Sequence, residues 1–187
     1  MRAGRRRSRR DRTAEATSPT NIGLYLLSTV AARDFGWIGL HDTVERLEAT
    51  FETLARLERF HGHFYNWYET RTLDPLEPVY VSSVDSGNLA GHLLALAQAC
   101  EGFLERPLLG PYVLTGISDA LELAREAAAT IPDDRRTVSV TRRLLDETVE
   151  AVAISLRATP TTPAEWARRL DDVGDLAHTL VDVAATL

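Results

Sequence analysis

The sequence predicts an all-α fold of helices paired into α/α-hairpins, and three observations carry that prediction. Apolar residues recur at helical spacing in six separate stretches. Two of these stretches open on helix-start chemistry, Ser18-Pro19 and Thr162-Pro163. No alternating apolar–polar run is long enough to build a sheet.

Ser18-Pro19-Thr20-Asn21 sets an N-cap and a proline at the first helical position. Leu24, Leu27, Val30 and Ala31 then form one face, and Gly36 ends the helix. A second helix runs from about Leu40 with Leu40, Val44, Leu47, Phe51, Leu54 and Leu57 on its apolar side. Glu48, Glu52 and Arg56 stand at i, i+4 spacing on the opposite, charged side. Residues 61–83 break this rhythm. Asp74-Pro75 and Glu77-Pro78 forbid a helix, and Val79-Tyr80-Val81 reads as a short extended piece.

Periodicity resumes after Asp85 or Ser86 through Leu89, Leu93, Leu96, Cys100 and Leu104. A fourth helix carries Ile117, Leu121, Ala124 and Ala128, and a fifth carries Leu145, Val149, Val152 and Leu156. The sixth opens on Thr162-Pro163-Ala164-Glu165, a capping box with proline at N1. It continues through Trp166, Leu170, Val173, Ala177 and Leu180, and stays apolar at Val183, Ala184 and Leu187 with no capping glycine. That ending reads as a chain cut within a helix, so Val173, Leu176, Leu180 and Val183 are expected to lie exposed.

Composition bounds the function. The chain has 187 residues, 44% of them apolar and 26% charged, as in ordinary soluble domains. A single cysteine, Cys100, excludes a disulfide framework and a multi-cysteine metal site, and a reducing compartment is expected. No run approaches the roughly 18 apolar residues a membrane span needs. The net charge of −6 hides an asymmetry, because residues 1–12 carry seven Arg and one Asp. Residues 1–16 are therefore expected to form a disordered Arg-rich stub, ahead of a helical domain over 17–187. The acidic remainder argues against nucleic acid as a partner.

Chemistry concentrates in two stretches. Residues 61–69, HGHFYNWYE, hold four of the thirteen aromatics in a run too polar for a core. Residues 84–92, VDSGNLAGH, add carboxylate, hydroxyl, amide and imidazole groups. Flat rings for pyranose C–H faces, beside donors and acceptors for hydroxyls, are what a sugar cleft requires.

Taken together, Thr17–Gly23 (TSPTNIG), His63–Tyr68 (HFYNWY) and Val81–Gly91 (VSSVDSGNLAG) resemble the cyclic β-1,2-glucan synthases of bacteria. Their spacing resembles the start of the middle, glycoamylase-like domain of those large membrane enzymes, over about residues 17–130 closely. The resemblance implies the first half of an (α/α)6 toroid, here a partial one, in a domain that closes β-1,2-glucan into a ring by transglycosylation. It implies β-1,2-glucan and the remaining domains of the parent synthase as partners, and a cytoplasmic location on an enzyme anchored in the inner membrane. The catalytic carboxylates of such a domain would lie further along the parent chain, so the segment alone is expected to bind without turnover.

The candidate substrate-binding residues are His63, Tyr65, Asn66, Trp67, Tyr68, Asp85, Ser86 and Asn88. Phe64 and Tyr65 also suit a plug between helix pairs, and Asp85, Ser86 and Asn88 suit N-capping. Gly87 and Gly91 would permit close approach of a helix or a ligand. Among carboxylates, Asp34 and Asp74 read as structural, while Glu69 and Asp85 are the plausible cleft members; no catalytic acid is assigned. His61, His63 and His92 make a weak metal set, no phosphate loop is present, and no cofactor is expected. The rival reading is a stand-alone helical-hairpin binding or scaffold protein without sugar chemistry.

Overall fold

Ser18 and Pro19 start the first helix as their order dictates: both are buried, and the Ser18 hydroxyl accepts from Asn21 N at 3.2 Å. The structure is a computed structural model that describes residues 15–130 and 136–186. Residues 1–14 of the Arg-rich stub, and Leu187, lie outside the described residues. The helices are α1 (Pro19–Asp34), α2 (Leu40–Arg56), α3 (Ser83–Glu105), α4 (Pro111–Ala129), α5 (Arg136–Ser155) and α6 (Pro163–Ala184). Four two-residue strands, β1 (Ala16–Thr17), β2 (Arg59–Phe60), β3 (His63–Phe64) and β4 (Tyr68–Glu69), form two antiparallel pairs, β1 with β4 and β2 with β3. The fold is all-α. No described helix is long and apolar enough to cross a membrane.

The contacts divide the chain into two compact units. The first holds the described residues up to Ala31 and His41–Arg106; the second holds Ala32–Leu40 and the described residues from Pro107 onward.

In the first unit, Leu26 and Val30 of α1 meet Leu47 of α2 and Leu96 of α3 in one buried cluster. Below it Leu54, Leu57 and Tyr68 form a second cluster with Phe64, Tyr65 and Leu73 against it. The buried face of α1 is only in part the expected one: Val30 is buried and Leu27 packs against the cluster. Leu24 is half exposed, while Leu26, Thr29, Val30 and Arg33 point inward. An apolar helix offers no clear stripe, so spacing alone could not choose the face. The same correction applies to α2, where Val44 and Phe51 are exposed and Thr43 is fully buried beside Leu47. Leu104 on α3 is also exposed.

In the second unit, Leu121 of α4 packs with Val149 and Val152 of α5 and with Leu176 and Leu180 of α6. Ala128, Leu145 and Val183 form the adjoining cluster. Early α5 thus meets late α6, the antiparallel pairing of an α/α-hairpin. The Arg169 guanidinium ties the turn by donating to the carbonyls of Ser155 and Ala158. The expectation that α6 leaves Val173 and Val183 exposed is overturned, because both are buried. The capping box forms as predicted: Thr162 Oγ1 accepts from Glu165 N at 3.2 Å, and Glu165 accepts from Thr162 N at 3.1 Å.

Candidate functional site

The irregular segment of the first unit is pinned by its own backbone. Asn66 N donates to Tyr80 O, Leu76 N to Trp67 O and Glu69 N to Asp74 O, each at 2.9 Å. Pro75 pairs with Tyr68 in an antiparallel bridge, so the two strokes of the loop lie side by side. This fixes Asn66 with its side chain buried and Trp67 with 42% of its surface exposed.

α3 begins at Ser83, two residues before Asp85 and ahead of the start expected after Asp85 or Ser86. Ser82 is the N-cap, its hydroxyl accepting from Asp85 N at 3.1 Å. The cap is therefore supplied by Ser82, and the Asp85 carboxylate is released to reach across to α1. Thr20 Oγ1 donates to Asp85 Oδ1 at 2.5 Å, and Asn88 Nδ2 donates to Thr20 Oγ1 at 3.1 Å.

The Asn66 amide completes the connection. Trp67 Nε1–H at 2.7 Å and Tyr80 O–H at 2.6 Å both face the same amide atom, and Asp85 Oδ2 at 2.8 Å faces the other. Two donors converge only on an oxygen, so the amide carbonyl accepts from Trp67 and Tyr80 while its NH2 donates to Asp85. One chain of hydrogen bonds then runs Trp67, Asn66, Asp85, Thr20, Asn88. It joins all three sequence stretches that carry the family resemblance.

Electrostatics sorts the carboxylates. The Thr20 hydroxyl above all, then Ser82, holds the Asp85 carboxyl below the ordinary carboxylate range. Glu69 is held low by the Thr72 N–H first, and also by the Arg71 N–H; its Oε2 accepts from them at 2.6 and 2.8 Å. Both stay ionised at neutral pH, and neither suits a general acid, which needs a raised pKa.

The remaining candidates divide. Tyr68 is fully buried; its hydroxyl donates to Glu58 O and accepts from Tyr65 N, both at 2.7 Å, and burial raises its pKa. It is a core residue with no surface to offer. Tyr65 is half-buried against it, with ring centroids 6.4 Å apart. His63 is exposed on the β2–β3 hairpin, away from the hydrogen-bonded chain. Ser86 Oγ is buried and bonds to no described residue. Gly87 and Gly91 face open space and support no close approach, whereas Gly23 does: a Cβ there would collide with the His92 ring. Sequence reasoning did not place Thr20 or Tyr80 in the cluster. Thr20 sits in the first turn of α1, and Tyr80 follows two prolines, positions read as capping and extended chain. A separate cavity of about 570 Å3 opens beside α1 and α2, walled by Ile22, Tyr25, Thr50, Leu54 and Leu73, and includes none of the eight candidates.

The fold and this cluster together define a helical-hairpin protein with an aromatic ring held rigidly at a polar surface. No family model matches the chain. Over 148 residues, 78% of its length, it is 51% identical to NdvB, the cyclic beta-(1,2)-glucan synthase of Rhizobium meliloti (strain 1021). The chain belongs to the cyclic β-(1,2)-glucan synthase family as a segment of it. The match spans about 5% of the length of that curated relative.

Proposed function

We propose that this chain forms part of the glucan-contacting surface of a cyclic β-1,2-glucan synthase, in the domain that closes the glucan ring by transglycosylation on the cytoplasmic side of the membrane. The observation that carries this reading is the hydrogen-bonded chain from Trp67 through Asn66 and Asp85 to Thr20 and Asn88. An exposed indole is wasteful unless a ligand covers it. Here its N–H is engaged by Asn66, so the ring is held in one orientation and its face is left for a pyranose. Asp85 acts as an ionised positioning group that orients the Asn66 amide. The Tyr80 hydroxyl and the Asn88 amide supply polar partners for sugar hydroxyls around the ring. Tyr65 and Tyr68 support the loop from within, and His63 stands at its outer edge.

The partner chemistry is a neutral β-1,2-linked glucan together with the rest of the parent polypeptide. No step of bond cleavage is assigned to this segment, since its two cleft carboxylates are both held ionised. The test is replacement of Trp67 by Ala in a full-length parent synthase. The expected result is a roughly tenfold or greater loss of glucan affinity with less cyclic product, the scale of one lost aromatic platform. Unchanged affinity and unchanged cyclic product would overturn the assignment.

A further inference from the structure

The second unit carries another aromatic platform. Phe35 and Trp37 are 56% and 58% exposed, with ring centroids 5.0 Å apart and planes inclined by 31°. The turn that presents them is locked. Gly36 has φ of 76°, and Trp37 N and Gly36 N donate to Ala32 O and Arg33 O at 2.9 Å, closing the end of α1. Gly36 also lies directly on α4: a Cβ at Gly116 would collide with the Gly36 carbonyl, and one at Gly36 would meet the Tyr112 carbonyl. The close approach of Gly36 and Gly116 holds the turn that carries both rings tight against α4.

Trp37 Nε1 donates to Asp119 Oδ2 at 2.9 Å. Asp119 lines a cavity of about 390 Å3 that also presents Thr115, Ser118 and Arg157. Arg157 donates to Glu150 at 3.1 Å through one nitrogen only, which leaves further N–H groups of its planar fork. A fixed indole edge, bonded to Asp119, therefore stands beside a cleft lined by a carboxylate, three hydroxyls and a guanidinium.

We propose that Phe35, Trp37 and the cleft at Asp119 form a second pyranose-binding site, independent of the Trp67 cluster. The C–H face of one sugar ring stacks on the exposed rings. Hydroxyls of the same or the next ring donate to Asp119 and accept from Arg157. A phosphorylated ligand fits poorly, because Glu150 already pairs with the guanidinium and the Asp119 carboxylate lines the same cavity. The favoured ligand is a neutral sugar, and its assignment as a β-linked glucose oligosaccharide rests on the function proposed above.

The indole N–H of Trp37 lies inside the site, which makes it the probe. The whole chain, labelled with 15N in its three tryptophan indoles, is titrated with linear β-1,2-glucan oligosaccharides and with cellotetraose, in wild type and in Trp67→Ala. The expected result is a saturable shift of the Trp37 signal that persists in Trp67→Ala. It should weaken about tenfold in Phe35→Ala and in Arg157→Ala, while the buried Trp166 signal stays in place as the measure of an intact fold. A Trp37 signal unmoved by either oligosaccharide overturns the proposal. So does one that shifts with protein concentration instead of sugar, which would make this face a protein contact. A Trp37 response lost in Trp67→Ala would assign the effect to the first cluster and equally overturn an independent site.

Discussion

Asp85 illustrates how one side chain connects the chemistry of the first unit. Its two oxygens accept from Thr20 on α1 and from Asn66 in the loop, and its backbone N–H closes the Ser82 cap. Asp85→Asn keeps the shape but replaces one acceptor with a donor facing another donor. The expected outcome is a loss of about 1–3 kcal/mol, seen as a lower Tm or urea midpoint. The same residue gives a pH signature. Its folded pKa is depressed, so its contribution is fully present above the ordinary carboxylate pKa near about 4 and fades as pH falls through the lowered folded value. Stability should therefore decline below about pH 4 in the wild type, and the decline should be shallower in Asp85→Asn. Equal slopes in both proteins would show that Asp85 contributes nothing. At this scale much was legible in the sequence: Asn66, Trp67, Asp85 and Asn88 stood out and do converge. Tyr68 did not behave as its neighbours did. Neither spacing nor composition distinguishes a ring turned inward from one turned outward in an irregular loop.

At the level of elements, glycine placement separates packing from mere permissiveness. Gly23 is buried, and its missing Cβ is the space the His92 ring occupies. Gly91, on the exposed side of α3, meets nothing. Gly23→Ala should destabilise by about 1–3 kcal/mol through overpacking. Gly91→Ala should stabilise by roughly 0.5–1 kcal/mol through helix propensity alone. Thermal melts of the two variants check the pair, and a shift of the same sign in both would contradict this packing. Removing the Thr162 cap of α6 should cost about 1 kcal/mol. Helix starts were readable because caps and prolines act locally. Buried faces were less so. In α1 the apolar residues are spread around the helix, and in α2 the polar Thr43 is buried while its apolar neighbour Val44 is exposed.

Across the molecule, each unit has its own apolar clusters, yet large apolar side chains remain outside them. Leu94, Leu104, Leu123 and Val181 are each 66–88% exposed and spread over α3, α4 and α6. Such surface favours association. The purified chain is expected to sediment as a concentration-dependent mixture. A monodisperse monomer across the micromolar range would contradict that expectation. The family could be read because three motifs occur in one order. That reading gave a parent enzyme and a glucan, and the structure adds a physical reason why those three motifs belong together.

The ring of Trp67, oriented by Asn66 and Asp85, is proposed to contact glucan. A calorimetric titration of the chain with linear β-1,2-glucan tests this contact most directly, comparing wild type, Trp67→Ala and Asp85→Asn, with Gly91→Ala as a control. Weak saturable binding is expected, millimolar or on the order of −4 kcal/mol. That binding should be weakened in both Trp67→Ala and Asp85→Asn and unaltered in Gly91→Ala. Binding of equal strength in wild type and Trp67→Ala would contradict that contact.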